Sequence, residues 1–145
     1  MTRRTLSVLV VDDSAVVRLA LTTILSAEPD LLVTAASDPV FAMEKMGKAR
    51  PDVIVLDLEM PRMDGISFLR KIMAEDPIPV VVCSGIAARG TEAAIRALEA
   101  GAVEVVAKPE LGVRDFLHDA SDELVGTIRA AASARVERRG TRPPV

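Results

Sequence analysis

Four apolar runs in this chain each end in a residue suited to phosphoryl chemistry. LSVLVV (residues 6–11) runs into Asp12 and Asp13, VIVL (53–56) into Asp57, VVVC (80–83) into Ser84 and Gly85, and VEVVA (103–107) into Lys108 and Pro109. Runs this rich in β-branched residues read as buried parallel strands. The carboxyl ends of such strands are where open α/β sheets bind their ligands. A carboxylate placed there can attack phosphorus and give an acyl phosphate. The negative oxygens of the transferred group then need a divalent cation and a lysine, so catalysis is positioning and electrostatics. Asp12 and Asp13 would repel each other without a cation. Mg²⁺ suits them, because it takes hard oxygen ligands, keeps several waters and shares a few carboxylates with a phosphate. A hydroxyl at Ser84 can donate to a phosphoryl oxygen, and Gly85 leaves room for an incoming donor. Each residue alone has a plainer explanation: a helix cap or solvated turn for Asp12–Asp13, a turn for Asp57 and Ser84, solvated surface for Lys108. Their convergence on one mouth is what favours a chain that accepts phosphate on Asp57.

The elements that would position them follow from periodicity and caps. Strands are expected at Leu6–Val11, Leu31–Ala36, Val53–Leu56, Val80–Cys83 and Val103–Ala107, the second weaker and at an edge. Helices are expected at about Ala15–Ala27, Pro39–Ala49, Gly65–Ala74, Thr91–Ala100 and Val113–Ala134. Ser14 and Asp64 can cap two of them, Pro39 suits a first turn, and Gly101 can stop another. Val17, Leu21, Ile24 and Leu25, then Ile66, Leu69, Ile72 and Met73, recur at helical spacing and should face inward. The phenylalanines Phe41, Phe68 and Phe116 are expected in the core. Strict alternation of strand and helix implies an α/β fold: a doubly wound five-stranded parallel sheet with right-handed crossovers and helices on both faces.

Bulk properties narrow the class further. The 145 residues are 50% hydrophobic and 27% charged, enough for one domain with a proper core. A net charge of −3 argues against nucleic acid as partner. No stretch reaches the roughly 18 apolar residues needed to span a bilayer. Arg3–Arg4 before LSVLVV could suggest an export signal, but Asp12–Asp13 interrupts the run too soon. The single cysteine, Cys83, excludes an intramolecular disulfide and reads as a buried strand residue. The expected compartment is the cytoplasm. Residues 134–145 (ARVERRGTRPPV) carry four arginines against one glutamate, then glycine and prolines. Residues 1–134 are therefore taken as the domain and 135–145 as the start of a linker or a tail.

Taken together, VLVVDDS, LDLEMPRMDG, CSG and AKP resemble the receiver domain of bacterial two-component response regulators, over about residues 6–130. That resemblance, not the alternation, implies the strand order 2-1-3-4-5 of the flavodoxin-like, CheY-like receivers. Within that family, DDSAVVR, LDLEMPRMDGISFLRKIM and RALEAGAVEVVAKP resemble the regulatory domain of the chemotaxis protein-glutamate methylesterases. The resemblance implies Asp57 as phosphoacceptor and Mg²⁺ held by Asp12, Asp13, Asp57 and the backbone carbonyl of Glu59. It implies phosphoryl-binding or switch roles for Ser84, Gly85 and Lys108, and a cis peptide before Pro109. It also implies a chemotaxis histidine kinase as phosphodonor, and a methylesterase and deamidase domain, or another effector protein, under control, with chemoreceptors reached indirectly.

This chain holds no G-x-S-x-G elbow, and its only histidine, His118, falls on the last helix. The expectation is therefore either a regulatory portion of such a protein or a stand-alone regulator that binds a partner. A more remote alternative is a phosphohydrolase of the haloacid-dehalogenase type, but Glu59 stands where that chemistry places a second aspartate. A flavodoxin-like ligand module fares worse, for want of Trp or Tyr. One departure from the receiver pattern concerns output. Val105 occupies the position, three before the lysine, where many receivers carry a switching aromatic. The expectation is that movement of the 84–90 loop and the fourth helix carries the signal instead. Ala87, Ala88 and Val105 are expected to form a small apolar output patch.

Overall fold

The computed structural model describes residues 5–58, 64–84, 91–107 and 114–134, with Ser84, Ala107 and residues 114–121 described by their backbone alone. Ten elements alternate along it: β1 (Leu6–Val11), α1 (Ala15–Ser26), β2 (Leu31–Ala36), α2 (Pro39–Lys48), β3 (Val53–Leu56), α3 (Gly65–Glu75), β4 (Val80–Ser84), α4 (Glu92–Ala100), β5 (Glu104–Ala107) and α5 (Arg114–Ala132). The strands form one sheet in the order β2-β1-β3-β4-β5, every neighbouring pair parallel. This is the order that the receiver resemblance implied.

Side-chain alternation splits the core into two layers. Leu9, Val11, Ile54, Leu56, Val80 and Val82 face α2, α3 and α4, meeting Ala42, Phe68, Leu69, Met73, Ala94 and Ala97. Val8, Val10, Val53, Val55, Val81 and Cys83 face the other way, onto Leu21 and Leu25 of α1 and Leu124, Val125 and Ile128 of α5. The central strand β3 is buried along its whole length, which is why its sequence shows no polar alternation.

Local chemistry sets the helix ends. Side-chain oxygens of Ser14, Asp38, Asp64 and Thr91 accept hydrogen bonds from Val17, Phe41, Ile66 and Ala94 backbone N–H groups, satisfying donors that the first turn leaves without helical partners. Gly101 ends α4 at φ 120°, a conformation that favours glycine. At the start of the sheet, Ser7 N donates to Asp52 Oδ2 (2.8 Å) and Asp52 N to Ser7 O (2.8 Å), tying the entry of β3 to β1.

Two packing expectations are corrected. Phe68 is in the core at 1% exposure, but Phe41 is 52% exposed. It lies near the start of the short helix α2, whose inward positions are taken by Pro39 and Ala42. Val105 is only 4% exposed and packs within the α2–α4 layer. It points inward because it pairs with buried Val82 and shares that residue's face. It therefore supplies no surface for the expected output patch. Phe116, Ala87 and Ala88 lie outside what is described of side chains.

Candidate functional site

The acidic cluster is built by backbone pairing at the carboxyl edge of the sheet. Asp12 follows β1, and its N–H donates to Ala36 O of β2 (3.2 Å). Asp57 follows β3, and its N–H donates to Val11 O of β1 (2.9 Å). Each ladder thus extends one residue beyond the strand and fixes the carboxylate it carries. Asp12 is held from two further sides. Its Oδ1 accepts from Ser14 N (2.8 Å), and its carbonyl accepts from Arg18 Nη1 (2.7 Å). Ser14 in turn caps α1, so this helix start and the first acidic residue form one hydrogen-bonded unit.

One carboxylate oxygen from each of Asp12, Asp13 and Asp57 lies within 4.8 Å of the others. Asp12 and Asp57 are each 1% exposed, and Asp13 faces solvent. Carboxylates gathered this closely repel when ionised, a cost that a positive charge at the cluster offsets. The donor set is all oxygen and anionic, which suits Mg²⁺ or Ca²⁺ rather than a softer metal. The solvent-facing side at Asp13 leaves an approach for water and a phosphate.

Gly65 is a site-shaping residue that the sequence reading passed over. A Cβ there would come within 2.6 Å of Leu58 Cα and 2.9 Å of Asp57 O, so the start of α3 touches the backbone that carries Asp57. Arg18 was missed in the same way. Its reach back to the Asp12 carbonyl depends on a helical turn that a linear motif does not display.

The remaining candidates fall at the same edge or beyond the described residues. Ser84 ends β4 and is in register with Ala107 of β5, so the residue that precedes Lys108 lies beside it; the Ser84 side chain is not among those described. Glu59, Gly85, Lys108 and Pro109 lie outside the described residues, and so does the expected cis peptide; no cis peptide occurs among the described ones. Exposed apolar side chains also occur on α1 and α4. Val16 (58%) and Leu19 (68%) lie on α1, which begins beside Asp13, and Ile95 (47%) and Leu98 (44%) lie on α4. Both pairs are spaced i, i+3; Val16 and Leu19 lie on the face opposite buried Leu21 and Leu25, and Ile95 and Leu98 lie at the border of the stripe that buries Ala94 and Ala97. That spacing was the available signal for exposed helical faces, and the expectation of a patch at Ala87, Ala88 and Val105 overlooked it.

A parallel 2-1-3-4-5 sheet with a buried aspartate ending β3 and an acidic pair ending β1 defines a class of protein, and family comparison agrees. The response regulator receiver domain model matches residues 8–119, and the chain belongs to that family. Within it, the chain is 55% identical to a protein-glutamate methylesterase/protein-glutamine glutaminase from Pseudomonas savastanoi pv. phaseolicola, with 100% of this chain and 41% of the relative aligned. It is 58% identical to one from Anaeromyxobacter dehalogenans, with 91% and 38% aligned. The chain thus spans about two-fifths of the length of these relatives. The response regulator domain of Thermotoga maritima CheB superposes with a TM-score of 0.81 at 38% identity, over 91% of this chain and 99% of that one. A structure described as the P1 domain of CheA3 in complex with CheY6 from R. sphaeroides matches with a TM-score of 0.75 at 35% identity, over 91% of this chain and 100% of that one. No helix among the described residues is long and apolar enough to cross a membrane.

Proposed function

We propose that this chain is a phosphorylation-driven regulatory domain of chemotaxis, accepting a phosphoryl group on Asp57 and controlling a protein-glutamate methylesterase and glutamine deamidase. The observation that carries the reading is the gathering of Asp12, Asp13 and Asp57, two of them buried, at the carboxyl ends of β1 and β3. The similarity to methylesterase relatives supports the choice of effector, and the likeness to a kinase-domain complex supports a chemotaxis histidine kinase as donor.

In this reading an Asp57 carboxylate oxygen attacks the phosphorus of a phosphohistidine. The new O–P bond forms as the N–P bond breaks, and the released imidazole takes up a proton. Asp12, Asp13 and Asp57, with the Glu59 carbonyl, would hold Mg²⁺, which supplies charge neutralisation for the transferring oxygens. Burial of Asp57 limits water around its carboxylate and strengthens the electrostatic guidance of the incoming group. Ser84 and Lys108 are assigned to the phosphoryl oxygens, Gly85 to the space beside them, and Pro109 to a cis peptide that fixes the lysine. Val16 and Leu19 give a donor protein an apolar footing beside Asp13. Residues 1–134 are assigned as the receiver and 135–145 as linker, in the cytoplasm. Output is assigned to the 84–90 loop and to α4, where Ile95 and Leu98 are exposed; a buried Val105 leaves the signal no aromatic rotamer to turn.

The decisive experiment is labelling with acetyl phosphate and Mg²⁺. The wild-type chain should gain one phosphoryl group by intact mass, lost on treatment with hydroxylamine. Asp57→Asn should gain none, and equal labelling of the two would overturn the assignment. For the effector, the protein in which this chain is joined to a hydrolase domain should release methyl groups from methylated receptors faster with acetyl phosphate than without. An Asp57→Asn form should lose that difference.

A further inference from the structure

Strand β2 is an outer strand of the sheet. Asp30 O accepts from Leu6 N and Ala36 O from Asp12 N, so the even-numbered residues of this stretch turn their peptide groups toward β1. Val33 and Ala35, of the opposite parity, turn theirs to the open edge. Just inside that edge, on the α2 face, lies a cavity of about 310 Å³, at the lower end of the range for ligand pockets. Leu9, Leu32 and Thr34 line it from the sheet, Pro51 from the loop, and Lys45 and Lys48 from α2. Leu32 is 61% exposed although it is a large apolar side chain in a strand. Lys45 Nζ donates across the edge to Ala35 O. No carboxylate pairs with Lys45 or Lys48 among the described residues.

We propose that this edge and cavity take an extended acidic segment of another protein, added beside β2 as a sixth strand. The backbone of such a segment meets the outward peptide groups of Val33 and Ala35. Its N–H replaces Lys45 at the Ala35 carbonyl, and the released ammonium pairs with a carboxylate of the segment. Lys48 takes a second carboxylate. Between them, an apolar side chain on the α2 face covers Leu32 and enters the cavity over Leu9. Lys45 thus has two roles: without a partner it guards an open edge, and with one it selects for acidic sequence. Charge identifies the occupant. The arginine-rich residues 134–145 of this chain would be repelled by the two lysines. The β2 strand of a second copy, LLVTAA, brings no carboxylate. The proposal is independent of phosphoryl transfer at Asp57.

The test is an amide NMR titration of the labelled chain with a capped seven-residue peptide that carries glutamate, leucine and glutamate at its second, fourth and sixth positions, all on one face of a strand, and threonine elsewhere. Saturable shifts and slowed hydrogen exchange at Val33 and Ala35 are expected. Three comparisons should each weaken binding at least tenfold: a peptide with lysine in place of glutamate, a peptide N-methylated on the pairing side, and the double variant Lys45→Met, Lys48→Met. Both lysines are exposed, and circular dichroism should show the variant folded. Absence of saturable shifts at β2 overturns the proposal, as does equal binding of the lysine or N-methylated peptide. Unchanged affinity of the double variant overturns it too. Concentration-dependent dimerisation that gives the same shifts without peptide would replace it with self-pairing.

Discussion

Asp13 and Asp57 differ in burial, and that difference predicts different phenotypes. Asp13 is exposed, so Asp13→Asn should leave stability without metal within about 0.5 kcal/mol of wild type. The same change should weaken Mg²⁺ binding about tenfold, or roughly 1.4 kcal/mol, in an amide-shift titration. Mg²⁺ itself should stabilise the wild-type chain by about 2.7 kcal/mol at a hundredfold excess over its dissociation constant. Thermal unfolding with and without Mg²⁺ reads this directly, and a variant carrying both Asp13→Asn and Asp57→Asn should show little of it. The gathering of Asp12, Asp13 and Asp57 was legible in the sequence because each ends an apolar run, and a parallel sheet gathers such ends at one edge. Phe41 and Val105 were misjudged for a related reason. Residue type alone does not say which face a short helix or a strand turns inward, and that was decided by Pro39 and Ala42 in one case and by pairing with Val82 in the other.

At the scale of elements, the start of α3 and the loop behind Asp57 act as one part. Gly65→Ala would drive a methyl group into the backbone of Leu58 and Asp57, atoms that cannot move aside as a flexible side chain does. The expected cost is about 1–3 kcal/mol, with slower labelling by acetyl phosphate. Gly126→Ala is the matched control. Nothing lies within 4 Å of a Cβ at that helical position, so the substitution should stabilise α5 by about 0.5–1 kcal/mol in urea unfolding and leave labelling unchanged. All ten elements were legible, with ends shifted by a residue or two, because caps such as Ser14 and Asp64 mark helix starts and dense β-branched runs mark strands. Contacts such as Gly65 against Leu58 were not. They depend on how closely two elements approach, which no local pattern encodes.

Across the whole molecule, one side chain joins the end of the chain to its beginning. Arg129 of α5 donates from Nε and Nη2 to Asp30 (3.1 and 2.7 Å) and from Nη2 to Glu28 (2.8 Å). Its guanidinium is held even more firmly protonated than usual, chiefly by the Asp30 hydrogen bond and then by that to Glu28. Arg129→Met should lower the thermal midpoint, with the difference shrinking in molar salt as screening weakens the pair in the wild type. Hydrogen exchange should quicken in the last two turns of α5, and labelling at Asp57 should be unaffected. Asp30 precedes β2, so this anchor lies at the amino end of the sheet, the pole away from Asp12 and Asp57. Whatever follows Ala134 therefore sets out from the far side of the domain. A six-residue strand measures about 20 Å, which separates this anchor from the acidic cluster. Any segment that leaves Ala134 must therefore run back along the whole body of the domain before it comes level with the phosphorylation mouth.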